Sequence, residues 1–282
     1  MKQTHRALLA AFLHYFCLLT VILPELTGVS AAEPELKKWS VNRIEREALV
    51  FIPDATVRSE QSPPVPVIFV FHGHGGHSQH ATRSFHLHQL WPEAIVVYPQ
   101  GLLTPGRLTD TEGKRTGWQR FSGDQGNRDL VFFDHILASI RRDFRIDETR
   151  IYATGHSNGG AFSYLLAAER SAVLAAIAPS GAAAIRLKRT LPPLPVFHIA
   201  GENDPLVKYH WQRETIDMIL EINRCDSGAA WKNGATIHQS EIGMPVAVLI
   251  TQEGHHFPPR APELIVEFLK QQSRKADPAT SK

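Results

Sequence analysis

Cysteine is nearly missing from this chain: its 282 residues include two, Cys17 and Cys225. Cys17 falls in an N-terminal apolar stretch that reads as a leader, so the mature chain keeps Cys225 alone and no intrachain disulfide framework is possible. Export without disulfides suits a bacterial periplasm or outer surface, with an intermolecular bridge through Cys225 left open. Excess charge of one sign is also missing. Thirty Lys and Arg against 28 Asp and Glu leave a formal net charge of +2, interleaved rather than gathered into a basic stripe, so nucleic acid is not an expected partner. The short run Arg141, Arg142 and Arg145 sits where a helical pattern ends, and cations there offset exposed carbonyl dipoles. No solenoid-period repeat or low-complexity block occurs, and the 19 glycines and 19 prolines are spread along the chain.

One apolar run stands out, at the start. Lys2, His5 and Arg6 precede apolar residues 7–23, and the small-residue segment Val29-Ser30-Ala31-Ala32 follows. That order reads as a signal peptide over residues 1–32, followed by a single domain over 33–271 and a disordered tail over 272–282. The expected location is secreted or periplasmic, with no membrane association after cleavage. An uncleaved anchor is the competing reading, but Pro24 ends the stretch short of a comfortable span.

Within the domain, apolar β-branched runs recur at residues 47–52, 66–71 (PVIFVF), 94–98, 151–154, 174–179, 195–200 and 246–251. Helical patterns occupy 129–142, 158–169, 208–223 and 262–271. Continuous apolar strands alternating with amphipathic helices predict an α/β fold with a mostly parallel central sheet and helices on both faces. Ligands in such folds sit outside the carboxyl ends of the strands. Residues 59–66 read as a polar loop, and residues 100–128, polar and glycine-rich, as an irregular wall of a cleft.

Chemistry gathers at three strand ends. Gly155-His156-Ser157-Asn158-Gly159 lies between a strand pattern and a helix pattern, the setting of a nucleophile elbow. Glycines two positions either side of Ser157 relieve crowding at such a turn, and the Asn158 amide, at the helix N-terminus, is placed to donate to an oxyanion. A serine nucleophile needs an imidazole base and an acid to orient it, and on this architecture acid then histidine follow the serine in the chain. The run at 195–200 leads into Gly201-Glu202-Asn203-Asp204-Pro205, where Asp204 is the candidate acid and Glu202 its rival. The run at 246–251 leads to His255, with His256 beside it. After the strand at 66–71 comes His72-Gly73-His74-Gly75-Gly76, whose His74 amide is the expected second oxyanion donor, with Gly75 next.

Together with Val97-Tyr98-Pro99-Gln100-Gly101, Asp129-Leu130-Val131-Phe132-Phe133 and Gly254-His255-His256-Phe257-Pro258, these segments resemble the polyhydroxybutyrate depolymerase-like and feruloyl esterase-like branch of secreted α/β-hydrolases. The resemblance spans roughly residues 47–270. It implies an α/β-hydrolase fold and hydrolysis of short-chain, aromatic or hydroxyalkanoate esters without cofactor or metal, on a small or oligomeric substrate. It assigns Ser157 as nucleophile, Asp204 as acid and His255 as base, and makes Asp129 a helix-opening acid rather than a catalyst. The sequence departs from it in carrying Phe257 where relatives usually have tryptophan and in lacking disulfides. Trp118 and Phe257 are candidate substrate-binding residues.

Two readings of other classes compete. A metal-dependent hydrolase would use His72, His74, His77 and His80, but the stretch holds no carboxylate and shares the loop that the oxyanion donors need. A non-catalytic binding protein on the same fold would retain all three triad positions without using them.

Overall fold

The computed structural model describes residues 33–53 and 63–275. The expected signal segment and much of the expected polar loop lie outside the described residues.

The chain opens with strands β1 (Glu35–Val41) and β2 (Ile44–Phe51), an antiparallel pair turned at Asn42 and Arg43. Strand β3 (Val65–Phe71) is buried along its whole length, as its continuous apolar run requires. Helices α1 (Ser78–Phe85) and α2 (Leu87–Leu90) lead to β4 (Ile95–Pro99). The expected irregular segment carries a small two-stranded ladder of β5 (Leu102–Leu103) and β6 (Thr116–Gly117) before α3 (Arg128–Asp143). Then follow β7 (Ile146–His156), α4 (Asn158–Glu169), β8 (Ala176–Ser180), β9 (Val196–Gly201) and α5 (Tyr209–Ile222). The short strands β10 (Ala229–Ala230) and β11 (Thr236–His238), then β12 (Val246–Thr251) and α6 (Ala261–Lys270), complete the described chain.

Among the described residues the main sheet has the order β1-β2-β4-β3-β7-β8-β9-β12-β11-β10. The six strands from β4 to β12 pair in parallel, and the outer pairs at both edges are antiparallel. Alternate residues of the central strands feed two cores. Phe69, Phe71, Val97 and Ala153 face α3, α4 and α5, while Ile68, Val70, Tyr98 and Tyr152 face α1, α2 and α6. This is the period-two division of a sheet covered on both faces, and it is the α/β-hydrolase fold in one domain.

Register places the chemistry. Phe71 at the end of β3 pairs with Gly155 in β7, His156 pairs with Ser180 in β8, and Gly201 in β9 pairs with Thr251 in β12. The loops leaving these strands therefore emerge side by side along one edge. No helix among the described residues is long and apolar enough to cross a membrane.

Two expectations are corrected. The tail does not begin loose at 272: the Tyr152 hydroxyl donates to the Gln272 carbonyl at 2.6 Å, and the Arg274 amide donates to the Thr149 carbonyl at 2.8 Å. Strand β1 was not expected, because its ELKKWSV pattern is half exposed at a sheet edge. Asp129 opens α3 and is buried against Arg46 at 2.9 Å, while its second oxygen accepts the Gln119 amide at 2.8 Å. Its job is to clamp the 100–128 segment between β2 and α3. Arg141 makes a forked pair with Glu148, so the basic run is a solvated helix end.

Candidate active site

Ser157 sits between β7 and α4 with φ 57° and ψ −119°, a left-handed conformation that a residue with a side chain adopts only under constraint. The constraint is visible in its neighbours. A Cβ on Gly155 would lie 2.5 Å from the Gly159 carbonyl carbon, and one on Gly159 would lie 2.1 Å from the Phe71 carbonyl oxygen. Glycine at both positions is what lets strand, turn and helix close on one another. The Ser157 amide donates to the Ser180 carbonyl at 2.8 Å, which ties the elbow to β8.

The structure brings Ser157, His255 and Asp204 into one line. His255 Nε2 is 2.7 Å from Ser157 Oγ, and His255 Nδ1 is 2.7 Å from Asp204 Oδ2. Asp204 is buried, and its Oδ1 accepts the amides of Leu206 at 2.8 Å and Val207 at 2.9 Å. Those bonds fix the carboxylate's rotation and leave Oδ2 for the imidazole. The rivals lie elsewhere: Glu202 is exposed and bonded to Gln252, and His256 is exposed.

One partner of this line was invisible in the sequence. Gln212, from α5, is fully buried and donates to Asp204 Oδ2 at 3.2 Å and to the Val207 carbonyl at 2.7 Å. Behind it, His198 Nδ1 lies 2.6 Å from the Tyr164 hydroxyl. Burial pushes Tyr164 well above the ordinary phenol range and His198 down to about 4, so both are neutral and share one hydrogen bond. His198 Nε2 and Gln212 Oε1 are buried without a hydrogen bond of standard geometry, yet the Gln212 side chain is close enough to favour a proton on His198. A hydrogen bond to a charged group contributes about 1.5–3 kcal/mol. Gln212→Leu is therefore expected to lower kcat roughly tenfold or more, with a smaller change in KM. Steady-state kinetics beside a thermal melt checks this, and unchanged kcat in a destabilised protein would make Gln212 purely structural.

His156 stands against the base. Its Nδ1 is 3.1 Å from Ser180 Oγ, its ring centroid is 4.8 Å from that of His255, and burial followed by the neighbouring His255 pushes its pKa down to about 3. A neutral ring there places no positive charge beside His255.

His74 and Asn158, the residues expected to supply oxyanion donors, line the same cavity as Ser157. His72, lowered to about 4 by burial, is neutral. Its Nε2 accepts the Gly101 amide at 3.0 Å, so its Nδ1 carries the proton and donates to the Gly73 carbonyl at 2.7 Å. That carbonyl also accepts the Gly76 amide. In a trans peptide N–H and C=O point oppositely, so the His74 amide is turned away from those partners. The Gly75 amide, the second choice from sequence, is spent on the Thr116 carbonyl at 2.7 Å. The Asn158 side chain pairs with both backbone groups of Trp118, its Oδ1 accepting at 2.7 Å and its Nδ2 donating at 3.0 Å.

Trp118 is the clearest correction. It is buried, stacks on Phe162 with ring centroids 5.4 Å apart, and donates its indole N–H to the His72 carbonyl at 2.9 Å. It joins the two arms that carry the expected oxyanion amides and is closed to substrate. Phe257 lies outside the cavity lining and stacks on Phe85 at 4.0 Å, so it braces the His255 loop. Nor do the loop histidines converge on a metal. His72 is engaged as above, His74 bonds the Thr104 carbonyl and the Thr109 hydroxyl, and His80 meets Ser84. Among the described residues no three His, Cys, Asp or Glu side chains are grouped to hold an ion.

The cavity at Ser157 has a volume of about 670 Å³. A second, smaller hollow near His86 and His88 shares no lining residue with it.

No family model matches the chain. It is 28% identical over 231 residues to feruloyl esterase C of Emericella nidulans, covering 76% of this chain and 78% of that protein. It is 26% identical over 223 residues to feruloyl esterase D of Neurospora crassa, covering 72% and 69%. With a bifunctional acetylxylan esterase/xylanase of Neocallimastix patriciarum it shares 27% identity over 154 residues, 54% of this chain but 21% of that larger protein. Among solved structures, a ferulic acid esterase superposes with a TM-score of 0.61 at 14% identity, covering 85% of this chain and 99% of that one, a likeness of fold. The chain is a carboxylic ester hydrolase of the α/β-hydrolase fold, similar in sequence to feruloyl esterases.

Proposed function

We propose that the protein cleaves carboxylic esters through Ser157, His255 and Asp204 by way of an acyl-enzyme. The observation that carries this reading is the single imidazole placed 2.7 Å from both the Ser157 hydroxyl and the buried Asp204 carboxylate.

The steps follow from that geometry. Ser157 Oγ attacks the ester carbonyl carbon as its proton passes to His255 Nε2. The carbonyl oxygen becomes an oxyanion, received by the amides of Asn158 and His74, while Asp204 holds the imidazolium through Nδ1. His255 then returns the proton to the departing alkoxide, leaving an acyl group on Ser157. Water then gives a proton to His255 Nε2 as its oxygen bonds to the acyl carbon, and the bond to Ser157 Oγ breaks as His255 returns that proton to Oγ, which frees the acid and restores the serine.

Substrates proposed are esters of short-chain, aromatic or hydroxyalkanoate acids, as small molecules or oligomers, in the periplasm or outside the cell. The feruloyl and acetylxylan esterases among the relatives support that class. So does the cavity, whose apolar lining joins Ala161, Ala182 and Ala184 to larger side chains such as Ile185, Leu206 and Trp211 and whose volume suits a small ligand. A panel of p-nitrophenyl acetate, butyrate and palmitate with methyl ferulate tests it. The acetate, butyrate and ferulate are expected to exceed palmitate in kcat/KM. Strong activity on palmitate or triglyceride emulsion with little on the others would mark a lipase instead.

A further inference from the structure

The cavity beside Ser157 is unevenly charged. Four arginines, Arg107, Arg115, Arg120 and Arg186, line it, and no Asp or Glu does, although the chain as a whole is nearly balanced at 30 cationic and 28 anionic residues. None of the four forms an ion pair among the described residues.

Two of them meet at one ring, and Arg107 lines the same cavity. The guanidinium carbons of Arg120 and Arg186 lie 5.7 and 5.5 Å from the ring centre of Phe121, one from the 100–128 segment and one from the segment after β8. Burial lowers the Arg120 pKa, and Arg107 and Arg186 lower it further, with Asp124 opposing. The nearest carboxylates are already engaged. Asp124 Oδ2 accepts the amides of Arg120 and Phe121, at 3.3 and 3.0 Å, and Asp110 Oδ2 accepts the Arg115 amide at 2.8 Å. Like charges assembled at a cavity mouth repel one another and raise the local concentration of anions, and a planar guanidinium fork matches a carboxylate.

Resting on the esterase reading above, we propose that the preferred substrate is an ester carrying a second, ionised carboxylate. Arg107, Arg120 and Arg186 hold that carboxylate, the apolar wall and Phe121 hold the carbon skeleton between, and the ester carbonyl lies at Ser157. The chemistry broken is still one ester bond. The arginines set which ester arrives.

Two matched pairs separate the possibilities. Monomethyl adipate against methyl hexanoate places the anion on the acyl side, and 4-acetoxybenzoate against phenyl acetate places it on the alcohol side. In at least one pair the anionic ester is expected to lead in kcat/KM by about tenfold, mainly through KM. That lead should shrink as salt rises from low to physiological ionic strength, and in the Arg120→Gln/Arg186→Gln double variant. Hydrolysis of both pairs with the neutral members equal or better overturns the inference while leaving the esterase reading intact. If no ester is cleaved the esterase reading fails by itself, and calorimetric titration of the Ser157→Ala protein with monomethyl adipate decides the inference. Binding weakened by salt and by the double variant supports it, and no such binding overturns it.

Discussion

Replacing Ser157 with alanine is expected to lower kcat for ester hydrolysis by about five to six orders of magnitude while leaving the fold and its melting temperature unchanged. Activity falls because His255 would have no hydroxyl to deprotonate. Stability holds because serine and alanine both carry a Cβ, so the strain at φ 57° is the same, and the bond from the residue-157 amide to the Ser180 carbonyl is backbone only. The measurement is kcat against a progress curve long enough to see residual turnover, with a melt on the same sample. A fluorophosphonate should add one covalent label to the native protein and none to the variant, and EDTA should leave the native rate where it was. Normal turnover by folded Ser157→Ala protein would remove the mechanism entirely.

Asp204→Asn is expected to cost about four orders of magnitude in kcat, against a few-fold for Glu202→Gln. The size of the first effect follows from the bonds already on the carboxylate. Two backbone N–H groups point at Oδ1, so an asparagine there turns its carbonyl oxygen toward Leu206 and Val207 and its NH₂ toward His255. A donor facing Nδ1 forces the proton onto Nε2, and Nε2–H cannot accept from Ser157. Glu202, exposed and bonded to Gln252, has no such hold on the imidazole. By the same geometry His255→Ala should abolish turnover that exposed His256→Ala leaves largely in place. Presteady-state bursts compared across the four variants would read this, and an inverted order in either pair would move the acid or the base to its neighbour.

Much of this was readable in the chain because the relevant signals are local. Helix α4 begins at Asn158 and ends at Glu169, as expected, since the elbow glycines and an apolar run bound it, and β12 keeps both its expected ends for the same reason. Strand β1 was not readable, because an edge strand with one wet face and two lysines carries little apolar signal. Trp118 misled for the opposite reason. An aromatic in a polar, glycine-rich segment reads as exposed, and only the tertiary closure of that segment over Phe71 and Phe162 buries it. Gln212 carries no signal at all: a glutamine on an amphipathic helix is ordinarily solvated, and what buries this one is α5 packing against the loop that holds Asp204. The arginine-lined mouth was equally hidden, since its members lie in two segments some 65 residues apart, at positions 120 and 186.

The clasp between Asn158 and Trp118 also bears on how the protein ages. Asparagine followed by glycine is the dipeptide most prone to spontaneous deamidation, because the unhindered glycine nitrogen closes on the side-chain carbonyl carbon to form a succinimide. The chain has two such dipeptides, Asn158–Gly159 and Asn233–Gly234. At the elbow both side-chain atoms of Asn158 are held by the Trp118 backbone and its neighbour is fixed in the first turn of α4, so ring closure would have to break those bonds. Asn233 lies exposed in a left-handed turn that lines no part of the cavity. In the folded protein deamidation is therefore expected at that surface turn first, which keeps a new negative charge away from the residue next to Ser157.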